Sequence, residues 1–108
     1  MILENKLRDF LETISINQEE LDEWYLSDFI DKNIKPLNSY ESFEAMKKMV
    51  PYLIKYPEYG YELLEIIQEL NRISDTTEIF YSEDTPSVLI EVYKNDEFLM
   101  KIIKNIFK

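Results

Sequence analysis

Cysteine and histidine are both absent from this sequence, and glycine occurs only once, at Gly60. Without cysteine the fold has no disulfide and no thiolate metal site, which is typical of proteins in a reducing cytoplasm. Without histidine, catalytic triads with an imidazole base and the usual zinc sites are excluded. A single glycine also excludes phosphate-binding loops of the Walker or dinucleotide type. We therefore expect a protein that is not an enzyme and that holds no metal and no cofactor.

Long apolar runs are missing as well. The uninterrupted apolar stretches are only a few residues long, whereas a helix needs roughly 20 apolar residues to span a bilayer. The apolar start at residues 1–3 is followed at once by Glu4. We expect no transmembrane segment, no signal peptide and a cytoplasmic location.

Basic residues are scarce relative to acidic ones. Twelve Lys and Arg stand against 22 Asp and Glu, which leaves a formal net charge of -10. This charge repels nucleic-acid phosphates and anionic lipid headgroups, and it attracts basic protein surfaces. We expect no direct nucleic-acid or membrane binding. The alternative is that the acidity only keeps a small protein in solution.

What the sequence does contain predicts an all-α fold. Its 108 residues are 45% hydrophobic, which suits a single helical domain over residues 1–108. One glycine and four prolines cannot supply the tight turns of an all-β fold. About six helices in antiparallel hairpins are expected, as a compact bundle or as a short stack similar to helical repeats.

Capping signals and apolar periodicity place the first four helices. A buried stripe predicts a first helix over 2–14, and Asn17 with Glu20 predicts the start of a second, centrally packed helix. Asn38 with Glu41 repeats this capping arrangement before a third helix, which Pro51 should kink or break. A fourth helix is expected after Pro57. The apolar positions expected to face the core in these four helices are Leu3, Leu7, Phe10, Leu11, Ile14, Leu21, Tyr25, Leu26, Phe29, Ile30, Ile34, Phe43, Met46, Val50, Leu53, Leu63, Ile66, Ile67, Leu70 and Ile73.

The C-terminal part predicts two more helices. Thr85 is expected to cap a short helix with Pro86 at its first position, although the β-branched content of 87–93 would also suit a strand. Asn95 or Asp96 should cap the last helix. That helix presents Phe98, Leu99, Ile102, Ile103 and Ile106 as its apolar side chains.

Regularly spaced glutamates lie along the predicted fourth helix, on the side opposite its apolar face. Their spacing is i, i+4, i+7 and i+11, and they run towards two further acids after the helix. Between residues 56 and 93, nine carboxylates face a single basic residue, Arg72. Like charges on one helix face are slightly destabilising, so helix stability alone does not explain them. The acidic stripe consists of Glu58, Glu62, Glu65 and Glu69, and the acids beyond it are Asp75 and Glu78.

Tyrosines accompany this acidic stripe, and tyrosine is enriched in the cores of protein interfaces. A second acidic run, over 12–31, should bring Asp28 and Asp31 near the same edge. Lys101 and Lys104 are expected on an ordinary solvated face. The predicted partner-binding residues are Glu58, Tyr59, Tyr61, Glu62, Glu65, Glu69, Asp75, Glu78, Tyr81, Glu83 and Asp84.

The segment 74–85 has three interpretations: a flexible connector, a calcium loop or part of a binding surface. A calcium loop of the EF-hand type needs alternating Asp or Asn ligands, a central glycine and a final glutamate. This segment supplies only the first ligand, Asp75. We expect a connector whose Ile79 and Phe80 anchor it and whose acids extend the binding face.

A small, cysteine-free, strongly acidic helical chain without catalytic residues resembles the immunity proteins of bacterial toxin systems, including contact-dependent growth inhibition and polymorphic toxins. The resemblance covers the character of the chain rather than any shared motif. It implies a cognate basic toxin, of the nuclease type, as the partner.

Three other functions are considered beside this one. A nucleic-acid mimic that inhibits a restriction or CRISPR effector would use the same carboxylate spacing. A housekeeping adaptor would instead use an exposed apolar groove. An enzyme with a carboxylate pair such as Glu65 and Glu69 comes last.

Overall fold

Six α-helices and one short 3₁₀-helix make up the part of the chain that the structure describes, and no β-strand occurs there. This computed structural model describes residues 2–17, 24–75 and 81–107, with the side chains of the first helix described over 5–14. The radius of gyration is 13.4 Å, close to the ~13 Å expected for a compact domain of this length. The helices are α1 (Ile2–Asn17), α2 (Tyr25–Asn33), α3 (Ser39–Lys55), the 3₁₀-helix (Pro57–Tyr59), α4 (Gly60–Ser74), α5 (Thr85–Val92) and α6 (Glu97–Ile106).

Helix α4 lies at the centre of the fold. It contacts α2, α3 and α6, whereas in a linear stack of helical repeats each unit contacts only its neighbours in sequence. The arrangement is therefore an all-α compact bundle around α4. The prediction that the second helix packs centrally is wrong, because Phe29 is the one buried residue that α2 contributes within its bounds. Five α4 side chains are completely buried, namely Leu63, Leu64, Ile66, Ile67 and Leu70.

Helices α3 and α4 form an antiparallel hairpin. The Ser39 hydroxyl at the start of α3 donates a hydrogen bond to the Ser74 carbonyl at the end of α4. The predicted capping box is confirmed, since the Asn38 side chain accepts from the Glu41 N–H at 2.8 Å and the Glu41 carboxylate accepts from the Asn38 N–H at 3.0 Å. Pro51 was predicted to kink or break this helix, and it does not break it, because α3 continues through Pro51 to its end at Lys55.

The start of the second helix differs from the prediction. Helix α1 continues to Asn17, and α2 begins at Tyr25 with Trp24 as its N-cap. A capping signal is worth about 1 kcal/mol, and one further turn of α1 overrides it here. Tyr25 then stacks on Phe10 with ring centroids 5.0 Å apart. The remaining members of this prediction, Glu20 and Leu21, lie outside the described residues, as does the side chain of Leu3.

The C-terminal helices follow the prediction closely. Residues 85–92 form a helix, so the segment 87–93 is not a strand, and α5 begins after Asp84 rather than after Thr85. Asp96 caps α6, because its carboxylate accepts from the Leu99 N–H at 3.0 Å. Phe98 is an exception to the predicted core, since 58% of it is exposed.

None of the helices in the described part of the chain has both the length and the apolar character of a membrane span.

Most other predicted core positions are buried or half-buried. The predicted positions that are buried are Leu7, Phe10, Leu11, Ile14, Phe29, Ile34, Met46, Val50, Leu53, Leu63, Ile66, Ile67, Leu70, Leu99, Ile102, Ile103 and Ile106. The half-buried ones are Tyr25, Leu26, Ile30, Phe43 and Ile73.

Candidate functional site

The acidic stripe occupies the narrow outer face of the central helix. Glu62, Glu65 and Glu69 are half-buried on α4, because neighbouring helices cover the other sides of α4. Glu58 belongs to the 3₁₀-helix and is exposed. The spacing therefore continues along the chain, but the first member of the stripe lies on a separate element.

Basic residues balance the C-terminal end of the stripe. Glu69 accepts hydrogen bonds from Arg72 and forms an ion pair with it, and these bonds hold the pKa of the Glu69 carboxyl below its usual value. Lys35 pairs with Asp31 at 2.8 Å, which raises the pKa of Lys35, and the charge of Glu69 acts in the same direction. Asp31 thus approaches the stripe as expected, but it does so within a cluster of two acids and two bases.

The rest of the stripe has no such counter-charge. Glu58, Glu62 and Glu65 form no ion pair with any residue in the described ranges 2–17, 24–75 and 81–107. The same holds for the acids that flank the segment 76–80. These acids are Asp75, Glu83 and Asp84, and all three are exposed. The predicted site residue Glu78, with Ile79 and Phe80, lies outside the described residues.

Asp75 ends α4 with a left-handed backbone, with φ 46° and ψ 47°. Glycine adopts this conformation freely, and Asp adopts it more readily than most other residues. Its negative charge lies at the C-terminal end of α4, where the helix dipole favours cations. The charge of Asp75 therefore does not contribute to the stability of α4.

The three predicted tyrosines have different environments. Tyr61 is 48% exposed, and its ring centroid lies 6.1 Å from that of the exposed Phe98. Tyr81 is half-buried and packs edge-on against Phe107 at 5.0 Å. Tyr59 is half-buried and belongs to the 3₁₀-helix. Tyr59 and Tyr81 therefore both pack against the core, while Tyr61 is exposed.

Tyr59 and Glu58 also line a groove that the sequence did not predict. The groove has a volume of about 290 Å³. It is formed where α1, the end of α3 and the 3₁₀-helix meet, so its residues are far apart in the chain. We call it the tyrosine groove, and its lining residues are Arg8, Leu11, Glu12, Tyr52, Tyr56, Glu58 and Tyr59.

The tyrosine groove has half-buried aromatic walls and a charged rim. Tyr52 in the last turn of α3 and Tyr56, its C-cap, meet edge-on with ring centroids 5.8 Å apart. The ring centroids of Tyr56 and Tyr59 are 6.4 Å apart. Leu11 is buried at 6% exposure. The three charged residues are exposed, and they comprise one base, Arg8, and two acids, Glu12 and Glu58.

A buried tyrosine from α5 positions the 3₁₀-helix that carries Glu58. The Tyr93 hydroxyl donates a 2.6 Å hydrogen bond to the carbonyl of Leu53. In a continuing helix this carbonyl would accept from residue 57, but Pro57 has no N–H. Tyr93 therefore supplies the missing donor where α3 gives way to the 3₁₀-helix. Burial raises the pKa of Tyr93 to about 12, and the charge of Glu58 adds to this effect.

Gly60 allows the Tyr93 ring to approach α4. A Cβ at this position would lie 2.5 Å from Cε1 of Tyr93, a distance that real Cβ atoms do not adopt. The backbone of Gly60 is ordinary right-handed helix, with φ -54° and ψ -41°. The single glycine of the chain therefore serves close packing rather than an unusual dihedral angle.

The side chains on this surface are suited to contacts with cationic groups. Among the described residues, no three carboxylates converge as metal ligands would. The surface combines carboxylates without counter-charge with accessible tyrosine rings, and both attract ammonium and guanidinium groups.

Comparison of the chain with protein-family models, with curated proteins and with solved structures finds no match.

Proposed function

We propose that this protein is a non-catalytic binding protein whose acidic side neutralises a basic protein partner. The observation that carries the proposal is a group of carboxylates on the 3₁₀-helix, on α4 and on both sides of 76–80 that have no ion-pair partner in the described part of the chain. This group consists of Glu58, Glu62, Glu65, Asp75, Glu83 and Asp84. Other described acids without an ion pair, such as Asp9 and Asp28, lie on other helices.

Asp75 supports the same proposal in a different way. Its negative charge lies at a helix C-terminus, where the helix dipole favours cations. A carboxylate that binds a cation of the partner would explain this position of the charge.

Within this class, an immunity protein that blocks a basic bacterial toxin of the nuclease type is the most specific candidate. The resemblance in size, acidity and helical content motivates it. An acidic face can occupy the cleft in which such a toxin holds phosphates, and opposite charges speed the encounter. Cytoplasmic action against the toxin follows from the same resemblance.

A nucleic-acid mimic of another class is the second candidate, and the row of glutamates on α4 favours it. Consecutive members would lie roughly 4.5 to 6 Å apart along the axis. However, Arg72 neutralises Glu69 at one end of this row, which leaves only Glu62 and Glu65 as consecutive free charges on the helix. The shorter row is less suited to imitating a phosphate backbone than to contacting a few basic side chains.

The first experiment identifies the partner and tests the role of charge. The tagged protein is used to capture partners from the source cell at low and at high salt, followed by mass spectrometry. We expect a basic protein that is released as salt screens the charges. The captured protein is then assayed for nuclease activity with increasing amounts of the inhibitor, and we expect full inhibition near one equivalent. An acidic partner, or one that stays bound at high salt, would contradict the proposal.

Charge reversal then tests the face itself. The triple variant Glu62→Lys, Glu65→Lys, Asp75→Lys should abolish capture while the helical circular dichroism stays unchanged. A matched control reverses three acids on other helices, Asp9, Glu44 and Glu91, and should retain capture. A second control neutralises Lys101 and Lys104 and should also have little effect. Equal loss of capture in the triple variant and in the matched control would show that only total charge matters.

A further inference from the structure

We propose that the tyrosine groove receives one arginine or lysine side chain of the basic partner. This inference rests on the proposed function, because it names a part of the partner and the place where that part binds. It extends the interface beyond α4 to residues of α1 and α3. The charge of the rim, the aromatic walls and the size of the groove support it independently of one another.

The charge of the rim favours a cation. Among the lining residues, Glu12 and Glu58 oppose one base, Arg8, which gives the lining a net charge of -1, and Lys55 lies beside the lining at the Tyr56 ring. Neither acid forms an ion pair with a residue in the described ranges. An anionic ligand would meet two carboxylates for each favourable contact with Arg8. An ammonium or guanidinium group would instead find two acceptors, one on α1 and one on the 3₁₀-helix.

The aromatic walls favour the same kind of ligand. A cation over a tyrosine face within about 6 Å of the centroid is attracted by the ring quadrupole. One ring of this groove already makes such a contact inside the protein, because the Lys55 ammonium lies 5.3 Å from the centroid of Tyr56. The remaining ring surfaces of Tyr52, Tyr56 and Tyr59 are half-buried. They can therefore also contact the methylene groups of a long basic side chain.

The size of the groove limits the ligand to something small. Its volume of about 290 Å³ is just below the roughly 300–1,000 Å³ that small-molecule sites occupy. The buried Leu11 contributes apolar surface, and the charges are at the exposed rim. A single extended side chain with an apolar stem and a charged tip matches this distribution.

The test uses a short peptide as the probe, so it does not depend on knowing the partner. Acetyl-Gly-Arg-Gly-amide is titrated into the intact protein at low salt while the ring resonances of Tyr52, Tyr56 and Tyr59 are followed by NMR. The same peptide with citrulline in place of arginine is the neutral control. We expect saturable shifts on these rings and an affinity about threefold to thirtyfold higher for the arginine peptide, which combines one ion pair with one cation–π contact.

Substitutions in the groove check the assignment. Glu12→Gln and Glu58→Gln should each lower the affinity for the arginine peptide about twofold to fivefold, and Tyr56→Leu should lower it while preserving apolar surface. The control Glu91→Gln, on α5, should have no effect. Equal binding of the citrulline peptide, shifts that do not saturate, or shifts that are absent from the three tyrosines would overturn the inference.

The two proposals fail in distinguishable ways. If the inference alone is wrong, the peptide probe does not bind the groove, but the triple charge-reversal variant still fails to capture the partner. If the proposed function is wrong, the partner is not basic or its binding is insensitive to salt. The contribution of the groove within the complex is then measured with Glu12→Gln, whose position on α1 is remote in sequence from the stripe. We expect this variant to accelerate dissociation of the captured partner, and an unchanged dissociation rate would contradict the inference.

Discussion

Replacing Tyr93 by phenylalanine removes one hydroxyl group and leaves the ring that packs against Gly60. The hydroxyl donates a 2.6 Å hydrogen bond to the Leu53 carbonyl in a buried setting. That carbonyl has no helical donor, since residue 57 is proline. The substitution therefore leaves a buried acceptor unsatisfied, which costs about 1–3 kcal/mol. Proteins of this kind have a total free energy of unfolding of about 5–15 kcal/mol, so the loss is readily measured.

Urea unfolding followed by circular dichroism gives this difference. The midpoint should fall while the denaturant slope stays the same, and the melting temperature should drop by about 4–8 °C for each kcal/mol lost. Tyr61→Phe is the matched control, because Tyr61 is 48% exposed, and it should change the free energy of unfolding by less than about 0.5 kcal/mol. A Tyr93→Phe variant as stable as the parent, or a control that loses as much, would refute the reasoning.

The pH dependence provides a second check. Burial, together with the charge of Glu58, raises the pKa of Tyr93 to about 12, whereas an unfolded tyrosine has a pKa of about 10. A pKa raised in the folded state means that folding favours the neutral hydroxyl. Its contribution is complete below about pH 10 and is lost as the pH rises to about 12. The stability difference between the parent and Tyr93→Phe should therefore narrow over this range, and a difference that widens would contradict the assignment.

Three further substitutions test other features. Gly60→Ala should destabilise the protein by about 1–3 kcal/mol, because the added Cβ would collide with Tyr93. Alanine is normally favoured over glycine in helices, so thermal melting that shows a loss of stability would distinguish the collision from this preference. Ser42→Ala should raise the free energy of unfolding by about 1 kcal/mol, since the fully buried Ser42 hydroxyl has no hydrogen-bond partner in the described structure; a loss in urea unfolding would show that this hydroxyl is satisfied. Asp75→Gly should stabilise the protein by up to about 1 kcal/mol and should weaken salt-sensitive capture of the basic partner. Asp75→Asn should weaken capture through the loss of charge alone. Unchanged capture by both variants would show that Asp75 is not part of the proposed face.

Patterns within one helix were predicted well because they depend on residues three or four positions apart. The capping box of Asn38 and Glu41 is one such pattern, and the buried face of α4 with Leu63 and Leu70 is another. Asn17 with Glu20 has the same local form, yet Asn17 is the last residue of α1. A local signal of about 1 kcal/mol is decisive only where packing does not oppose it.

The candidate site was predicted less completely, because its parts come from separate elements of the fold. Sequence spacing identified Glu69 as a member of the acidic stripe, and Arg72, which neutralises it, lies only three positions further along α4. The structure also places Asp31 of α2, and Lys35 just after α2, near Glu69. The tyrosine groove was missed because its lining also comes from separate elements. Its walls include Tyr52 of α3 and its rim includes Glu12 of α1, and no periodicity within a segment connects these positions.

The sequence by itself determined the all-α class, the net charge of -10 and the amphipathic faces, since these follow from composition and from the period of the helix. The tertiary structure decided which helix is central and that α1 meets the end of α3 and the 3₁₀-helix to form the tyrosine groove. These features depend on distances between residues that are remote in the chain. Tyr93 illustrates the difference, because it completes the end of α3 from 40 positions away, and only the packing of α5 against α3 brings its hydroxyl to Leu53.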